Sequence, residues 1–189
     1  MAPSPPPPPR TWTEPFQYKG IAYRAVLDPQ KAEPLRIYRG KRMVASIARR
    51  RWNPWKLQVG DVDGDGAPDF AVGVLKPTRY IPEPHTSVFF YTFDGRHLHK
   101  KWLGSTVGRP LVDFCLGPRD RGRGQTLWTL ERTFGGKVAV RCLRWSGFGF
   151  SSVGSEKVLE TAEKLVRYRG KIAVVVSGKP IRMDLGGLQ

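Results

Sequence analysis

Four carboxylates stand close together in one short stretch, DVDGDGAPD, at residues 61–69. Asp61, Asp63, Asp65 and Asp69 occupy positions 1, 3, 5 and 9 of this stretch. Oxygen ligands at this spacing suit Ca²⁺, which takes about six to eight of them at roughly 2.3–2.6 Å. Without a cation between them the carboxylates would repel one another. The stretch therefore predicts a calcium-binding loop.

Two further positions favour a metal loop over an ordinary acidic turn. Gly66 at position 6 allows a sharp turn, and Ala67 at position 7 can offer its backbone carbonyl. A surface turn needs one Asp or Asn rather than this alternation. An EF-hand would need a bidentate Glu at position 12, where this sequence has Val72. We therefore expect a loop of another type. Its expected metal ligands are Asp61, Asp63, Asp65, Ala67 and Asp69.

The segments around the acidic loop have the alternating apolar pattern of strands. The alternation covers residues 55–59 before the loop and 70–74 after it. Further along, VFFYTF and RHLHKKWLGS flank the pair Asp94 and Gly95, and an Asp-Gly pair between apolar runs is a strong hairpin signal. We therefore expect four antiparallel strands over residues 55–105.

The same pattern recurs about 50 to 57 residues later. LVDFCLGPRDRGRGQTLWTLER lines up with WKLQVGDVDGDGAPDFAVGV, and Gly117 takes the place of Gly60. Fragments of similar sequence stand at residues 35–50 and 165–180. Repetition of a four-stranded unit at this period is typical of propeller blades and related arrays. The sequence thus predicts an all-β, propeller-like array of three to four four-stranded antiparallel blades. The array would be closed by pairing of the N- and C-terminal strands, closed by association, or open.

The N-terminal segment has a different composition from the rest of the chain. Six prolines in residues 3–9 favour an extended polyproline spacer. We expect a disordered tail or linker over residues 1–15 and one repeat domain over residues 16–189. The segment lacks the features of an intact signal peptide. Two interpretations of this segment stay open. It is either the start of a cytoplasmic protein or a tether that has lost its anchor. No apolar run approaches the roughly 20 residues that span a bilayer, so no membrane span is expected.

The acidic loop and its flanks resemble the FG-GAP or VCBS repeat, the calcium-loop hairpin of integrin-like β-propellers. That motif has an apolar strand, Gly-Asp, Val or Leu, Asx-Gly-Asp-Gly, two residues, Asp and a second strand. VGDVDGDGAPDFAVGV matches it almost position for position, and residues 52–157 are more loosely similar to small bacterial FG-GAP repeat proteins of no assigned activity. The resemblance implies that Asp61, Asp63, Asp65 and Asp69 bind calcium. It also implies that calcium rigidifies a hairpin while partners bind elsewhere.

The second loop, GPRDRGRGQ, departs from this motif. It keeps Asp120 but has Pro118 and Gly122 where carboxylates belong. Its three arginines would oppose a cation. They are Arg119, Arg121 and Arg123. We therefore expect one metal site in the chain.

The chain is strongly basic, with 32 Lys and Arg against 16 Asp and Glu and a net charge of +16. Such an excess favours polyanionic partners. Residues 36–56 contain no acidic residue, and basic side chains among aromatic ones can bind a phosphate backbone and stack bases. The alternative is a solvated strand edge protected by Lys and Arg. The predicted polyanion-binding residues are Arg36, Arg39, Lys41, Arg42, Arg49, Arg50, Arg51 and Trp52.

The remaining candidate groups favour structural roles. His97 and His99 lie on one face of a strand, but a third metal ligand is not evident, which favours exposed strand histidines. Cys115 and Cys142 each stand in an apolar segment, as buried core thiols do. These two cysteines do not decide between an oxidising and a reducing compartment for the protein.

The sequence offers no motif of catalysis. It has no G-x-S-x-G elbow, P-loop or H-E-x-x-H pair. Glu131, Asp113 and Glu83 could form a carboxylate pair of glycosidase type, but nothing in the sequence fixes the required separation. We therefore expect a protein that is not an enzyme.

Taken together, these features predict a binding or scaffold module with one structural Ca²⁺. We expect it at the bacterial cell surface or secreted, because the low free calcium of a cytosol would leave a weak site empty. The expected partner is an unidentified protein or an acidic surface polymer. The alternative is a module that binds nucleic acid or another polyanion through residues 36–56, and the third class is an enzyme that acts on carbohydrate or phosphate.

Overall fold

The computed structural model describes residues 10–48, 52–77, 81–104, 108–120 and 124–183. Throughout these ranges the regular structure is β-strand, without a helix, which confirms the predicted all-β class. It follows that the described residues contain no helix long and apolar enough to cross a membrane.

The strands form four antiparallel sheets in which strands that follow one another along the chain are hydrogen-bonded neighbours, except that β13 pairs with β11. The first sheet contains β1 (Trp12–Tyr18), β2 (Ile21–Leu27), β3 (Leu35–Arg39) and β4 (Arg42–Ile47). The second contains β5 (Pro54–Gly60), β6 (Asp69–Lys76), β7 (His85–Phe93) and β8 (Leu98–Trp102). The third contains β9 (Leu111–Asp120), β10 (Gly124–Arg132), β11 (Val138–Trp145), β12 (Phe150–Ser152) and β13 (Lys157–Leu159). The fourth contains β14 (Lys164–Tyr168), β15 (Lys171–Val176) and β16 (Lys179–Arg182).

The chain divides into two compact units. The expectation of one repeat domain over residues 16–189 stays a prediction. Unit 1 comprises Met1–Val59 and Gly66–Ser105, and unit 2 comprises Gly60–Asp65 and Thr106–Gln189. The first half of the acidic loop therefore groups with unit 2 although its flanking strands belong mainly to unit 1.

Unit 1 has an aromatic core built from the inward faces of its strands. Phe70, Tyr91 and Phe93 are completely buried. Phe16 of β1 packs edge-on against Phe70, with ring centroids 5.3 Å apart. Burial of such large apolar surfaces is the main source of stability for a sheet protein of this kind.

Unit 2 has a separate core. Leu130 and Val140, from the paired strands β10 and β11, are completely buried in it. Val174 of β15 contributes to the same cluster. Cys115 and Cys142 also lie there as buried thiols that are not joined in a disulfide, which agrees with the prediction made from their apolar surroundings.

The N-terminal tail predicted for residues 1–15 is corrected in part. Residues 1–9 lie outside the described residues, but β1 already begins at Trp12, which pairs with Leu27 of β2. Pro15 does not prevent this pairing, because β1 is the edge strand of its sheet, where proline is tolerated. The ordered chain thus starts before residue 16.

The hairpins read from the sequence are present. Residues 55–105 were expected to give four antiparallel strands, and β5 to β8 form such a sheet. The Asp94 and Gly95 pair lies between β7 and β8, and Gly95 has the positive φ of +103° that favours glycine. The terminal strands belong to different sheets, since β1 pairs with β2 and β16 pairs with β15.

Candidate metal centre

The start of the acidic loop is anchored to the β9–β10 hairpin through Gln125. The Asp61 backbone N–H donates to Gln125 Oε1 at 2.8 Å, and the Gln125 backbone N–H donates to the Asp61 carbonyl at 2.7 Å. Gln125 Nε2 donates in turn to the Gly117 carbonyl at 2.7 Å. Because Gln125 is buried, these bonds fix the backbone from which the first carboxylate projects.

Gly60 makes this close approach possible. A Cβ at Gly60 would lie 2.3 Å from Gln125 Oε1 and 2.7 Å from Leu116 Cδ1. Both distances are too short for real atoms, so a larger residue would displace the glutamine from the loop. The glycine that precedes the first aspartate therefore leaves room for the Gln125 side chain to bond to the loop.

Asp61, Asp63 and Asp65 are brought together by the turn of the loop. Each offers one carboxylate oxygen, and these atoms all lie within 4.8 Å of one another. Two oxygens bound to the same Ca²⁺ lie at most about 5 Å apart, twice the metal–oxygen distance. Asp61 is buried, Asp63 is half-buried and Asp65 is exposed, so the group opens towards solvent. These three donors fit a calcium ion.

The backbone of the loop helps to orient the first carboxylate. The Gly64 N–H donates to Asp61 Oδ1 at 2.7 Å, which holds one oxygen in a turn. Gly64 and Gly66 have φ values of +79° and +84°, a left-handed region that glycine enters without strain. The glycines between the aspartates thus let the chain curl around the carboxylates.

An arginine of the second loop contacts this group. Arg119 Nη2 donates to Asp61 Oδ2 at 2.7 Å. The Arg119 side chain is 64% exposed whereas that of Asp61 is 5% exposed, so the guanidinium reaches the buried carboxylate from the solvent side. The sequence indicated that this arginine would oppose a cation in its own loop. The structure places its charge on the first loop instead.

The two remaining predicted ligands lie in unit 1. Asp69 is completely buried at the start of β6, and both of its carboxylate oxygens accept hydrogen bonds from Lys101 Nζ, at 2.8 and 2.9 Å. Ala67 is half-buried. Metal binding by Asp69 and Ala67 stays a prediction from the sequence. The ion pair with Lys101, which lies 32 residues away, was not evident from the sequence.

The predicted polyanion-binding residues are only partly exposed. Arg39, Lys41 and Arg42 are exposed around the turn between β3 and β4. Arg36 is less accessible, with a side chain 18% exposed and Nη2 3.3 Å from Asp28 Oδ2. The three arginines at positions 49–51 lie outside the described residues.

Trp52 requires a correction, because it does not offer its ring to a ligand. The residue is 3% exposed and belongs to the core of unit 1. Its ring centroid lies 5.3 Å from that of Tyr91 and 6.3 Å from that of Phe89. A base cannot stack on a ring that is almost completely buried, so Trp52 has a packing role.

Two acidic residues considered for catalysis have structural partners in unit 2. Glu131 is completely buried, and its carboxylate lies 3.3 Å from Arg109 Nε and 3.2 Å from Arg141 Nη1. Asp113 accepts a hydrogen bond from the Leu165 N–H at 2.8 Å. These contacts compensate the burial of the two carboxylates.

The structure adds one residue to the two histidines noted in the sequence. Asp94 of the β7–β8 turn lies with His97 and His99 in a second group whose ligand atoms are within 4.8 Å of one another. The pKa of Asp94 lies well below its usual value, because His99 and then the N–H groups of His97 and Arg96 donate hydrogen bonds to the carboxylate. The sequence showed Asp94 only as a turn residue.

Comparison with known proteins adds no further information about the site. No family model matches the chain, and no curated protein or solved structure matches it significantly. The similarity to FG-GAP repeats therefore rests on the residues of the acidic loop and its flanks, and it stays a prediction.

Proposed function

We propose that this chain is a non-catalytic binding or scaffold module in which the loop between β5 and β6 holds one structural Ca²⁺. The observation that carries the proposal is the convergence of Asp61, Asp63 and Asp65 within 4.8 Å of one another. Hard oxygen donors select Ca²⁺ over softer metals. When bound, the ion neutralises the carboxylates and ties the loop into one conformation.

A second part of the proposal concerns the place where the partner binds. We propose that the sheets are blades of a propeller-like array, since three of the four are antiparallel meanders of consecutive strands and the third sheet differs only in that β13 pairs with β11. In such an array the connecting loops carry binding residues while the sheets provide a rigid support. The partner is an unidentified protein or an acidic surface polymer, and the chain acts at the cell surface or after secretion, where calcium is abundant.

The calcium proposal is tested by melting the full chain in EDTA and in Ca²⁺. At about 1 mM Ca²⁺ and a dissociation constant of roughly 0.1–1 mM, linkage gives about 0.4–1.4 kcal/mol of stabilisation. Asp65→Ala should abolish this increment, and because Asp65 is exposed the variant should still fold. Calorimetry should count one Ca²⁺ per chain. A melting temperature that does not respond to Ca²⁺ would refute the site.

A second candidate function is binding of a polyanion by unit 1. It is favoured by a basic and aromatic surface on β2 and β3, where Arg24 lies 4.9 Å and Arg36 6.0 Å from the centre of the Tyr38 ring. The exposed side chains of Arg39, Lys41 and Arg42 follow at the end of β3 and the start of β4. Nucleic acid and acidic cell-surface polymers are both polyanions that such a positively charged surface would bind.

A further inference from the structure

The turn between β7 and β8 brings two imidazoles and a carboxylate together. Asp94, His97 and His99 each offer one ligand atom, and the three atoms lie within 4.8 Å of one another. Their side chains are 47%, 73% and 52% exposed. An ion from solvent therefore reaches all three without any opening of the fold.

The distances within this group are close to those of a tetrahedral metal site. His99 Nε2 lies 2.7 Å and His97 Nδ1 lies 3.7 Å from Asp94 Oδ2. Ligand atoms that share a tetrahedral Zn²⁺ are about 3.3 Å apart, given metal–ligand bonds of about 2.0–2.1 Å. One of the two observed distances is shorter than this value and the other is longer, and small rotations of the exposed side chains are enough to bring both to it.

The carboxylate is already oriented for such a role by the backbone of the turn. Asp94 Oδ1 accepts hydrogen bonds from the N–H groups of Arg96 and His97, each at 2.7 Å. These bonds leave Oδ2 directed towards the imidazoles. Metal ligands are commonly held by hydrogen bonds of this kind, which reduce the cost of ordering the ligand on binding.

The strand geometry orients the two histidines. His97 directly precedes β8 and His99 lies within it, two residues further on, and extended backbone puts such residues on one face. Their ring centroids are 6.0 Å apart and the ring planes are inclined at 64°, so the rings meet edge to face and are not stacked. The third histidine, His85, is buried, with Nδ1 2.9 Å from the Glu83 carbonyl.

We propose that Asp94, His97 and His99 form a second metal site, selective for a divalent transition metal such as Zn²⁺. Imidazole nitrogen suits Zn²⁺, Ni²⁺ and Cu²⁺, whereas Ca²⁺ prefers oxygen ligands throughout. Three protein ligands leave at least one coordination position for water or for a group from a partner. The site belongs to unit 1 and shares no residue with the acidic loop.

The test uses the untagged full chain titrated with Zn²⁺ by calorimetry, in the presence of Ca²⁺ to occupy the acidic loop. We expect one Zn²⁺ per chain. His97→Ala and His99→Ala should each weaken binding about tenfold or more, since even residues that only support a ligand cost that much. Lys100→Ala is the matched control, because Lys100 is an exposed neighbour on the same strand.

Histidine resonances provide a second measurement that does not depend on affinity. Zn²⁺ should shift the imidazole signals of His97 and His99 and leave those of the buried His85 unchanged. Zinc binding that is lost in Asp65→Asn, or that is unchanged in both histidine variants, would overturn the proposal by placing the ion elsewhere. The absence of any bound Zn²⁺ would overturn it directly. Failure of the calcium site would leave this proposal unaffected.

Discussion

Arg119 Nη2 lies 2.7 Å from Asp61 Oδ2, although the two residues are 58 positions apart in the sequence. The pair joins the β9–β10 hairpin to the first carboxylate of the acidic loop, beside the bonds that Gln125 makes to the same residue. The Arg119 guanidinium therefore lies beside the carboxylate that would attract a metal cation. Solvent reaches the Arg119 side chain, which is 64% exposed, and screens its attraction to the buried carboxylate.

Replacing this arginine should strengthen calcium binding. In Arg119→Gln, Ca²⁺ affinity should rise about thirtyfold, because a unit charge about 4 Å away repels a divalent cation by about 2 kcal/mol in a watery environment. Without Ca²⁺ the same variant should be slightly less stable. Calorimetric titration measures the first effect and urea unfolding in EDTA the second.

The control for this variant is Arg132→Gln, which removes the same charge from an exposed position elsewhere in unit 2. It should leave the calcium affinity nearly unchanged. Equal effects of the two substitutions would mean that net charge, and not the contact with Asp61, governs calcium binding.

Trp52→Ala should act on stability. We expect a loss of about 3–5 kcal/mol in the free energy of unfolding, because a buried tryptophan leaves a large cavity. Met43→Ala, at a residue that is 45% exposed, should change it by less than about 0.5 kcal/mol. Urea denaturation followed by circular dichroism measures both. A Trp52→Ala protein that keeps its stability and loses DNA binding would restore the base-stacking role.

The exposed basic side chains at the turn between β3 and β4, here called the basic turn, should govern any polyanion binding by unit 1. Combined replacement of Arg39, Lys41 and Arg42 by glutamine should reduce the slope of log affinity against log salt by about 2 for single-stranded DNA, since each phosphate contact contributes about 0.7. The measurement is a fluorescence titration at several salt concentrations.

The comparison variant for the basic turn removes three exposed charges from unit 2, at Lys171, Lys179 and Arg182. It should change the slope much less. If both triple variants bind alike, the attraction comes from the overall charge of +16 and residues 36–56 are a protected strand edge.

Cys142 should be chemically inert in the folded protein. Burial raises the pKa of its thiol to about 11, with smaller opposing effects of Thr126 and Arg144. At pH 8 about one molecule in a thousand would carry the reactive thiolate, against about one in ten for a thiol with a pKa of 9.0. In a Cys115→Ala variant, iodoacetamide should label Cys142 only after unfolding in urea. Rapid labelling of the folded chain would contradict this prediction.

Much of the secondary structure could be read from local patterns. Strands β5 and β6 follow from the alternating apolar residues beside the acidic loop, and the β7–β8 turn follows from Asp94 and Gly95. These features depend on residues a few positions apart, whose side chains fall on one face of a strand or share one turn. The proximity of Asp61, Asp63 and Asp65 follows for the same reason, because a tight loop keeps near neighbours together.

The tertiary structure decided which residues meet across the chain. Arg119 reaches Asp61, and Lys101 neutralises Asp69, because strand pairing and register bring distant residues side by side, and a one-dimensional pattern of charges does not contain that register. Trp52 stands beside arginines in the sequence yet is buried. Its surroundings are set by the rings of β7 rather than by its neighbours in the chain. By itself the sequence determined the β class, the hairpins and the acidic loop, because their causes are local. Only packing of the strands determined which charges are paired and which aromatic rings are covered.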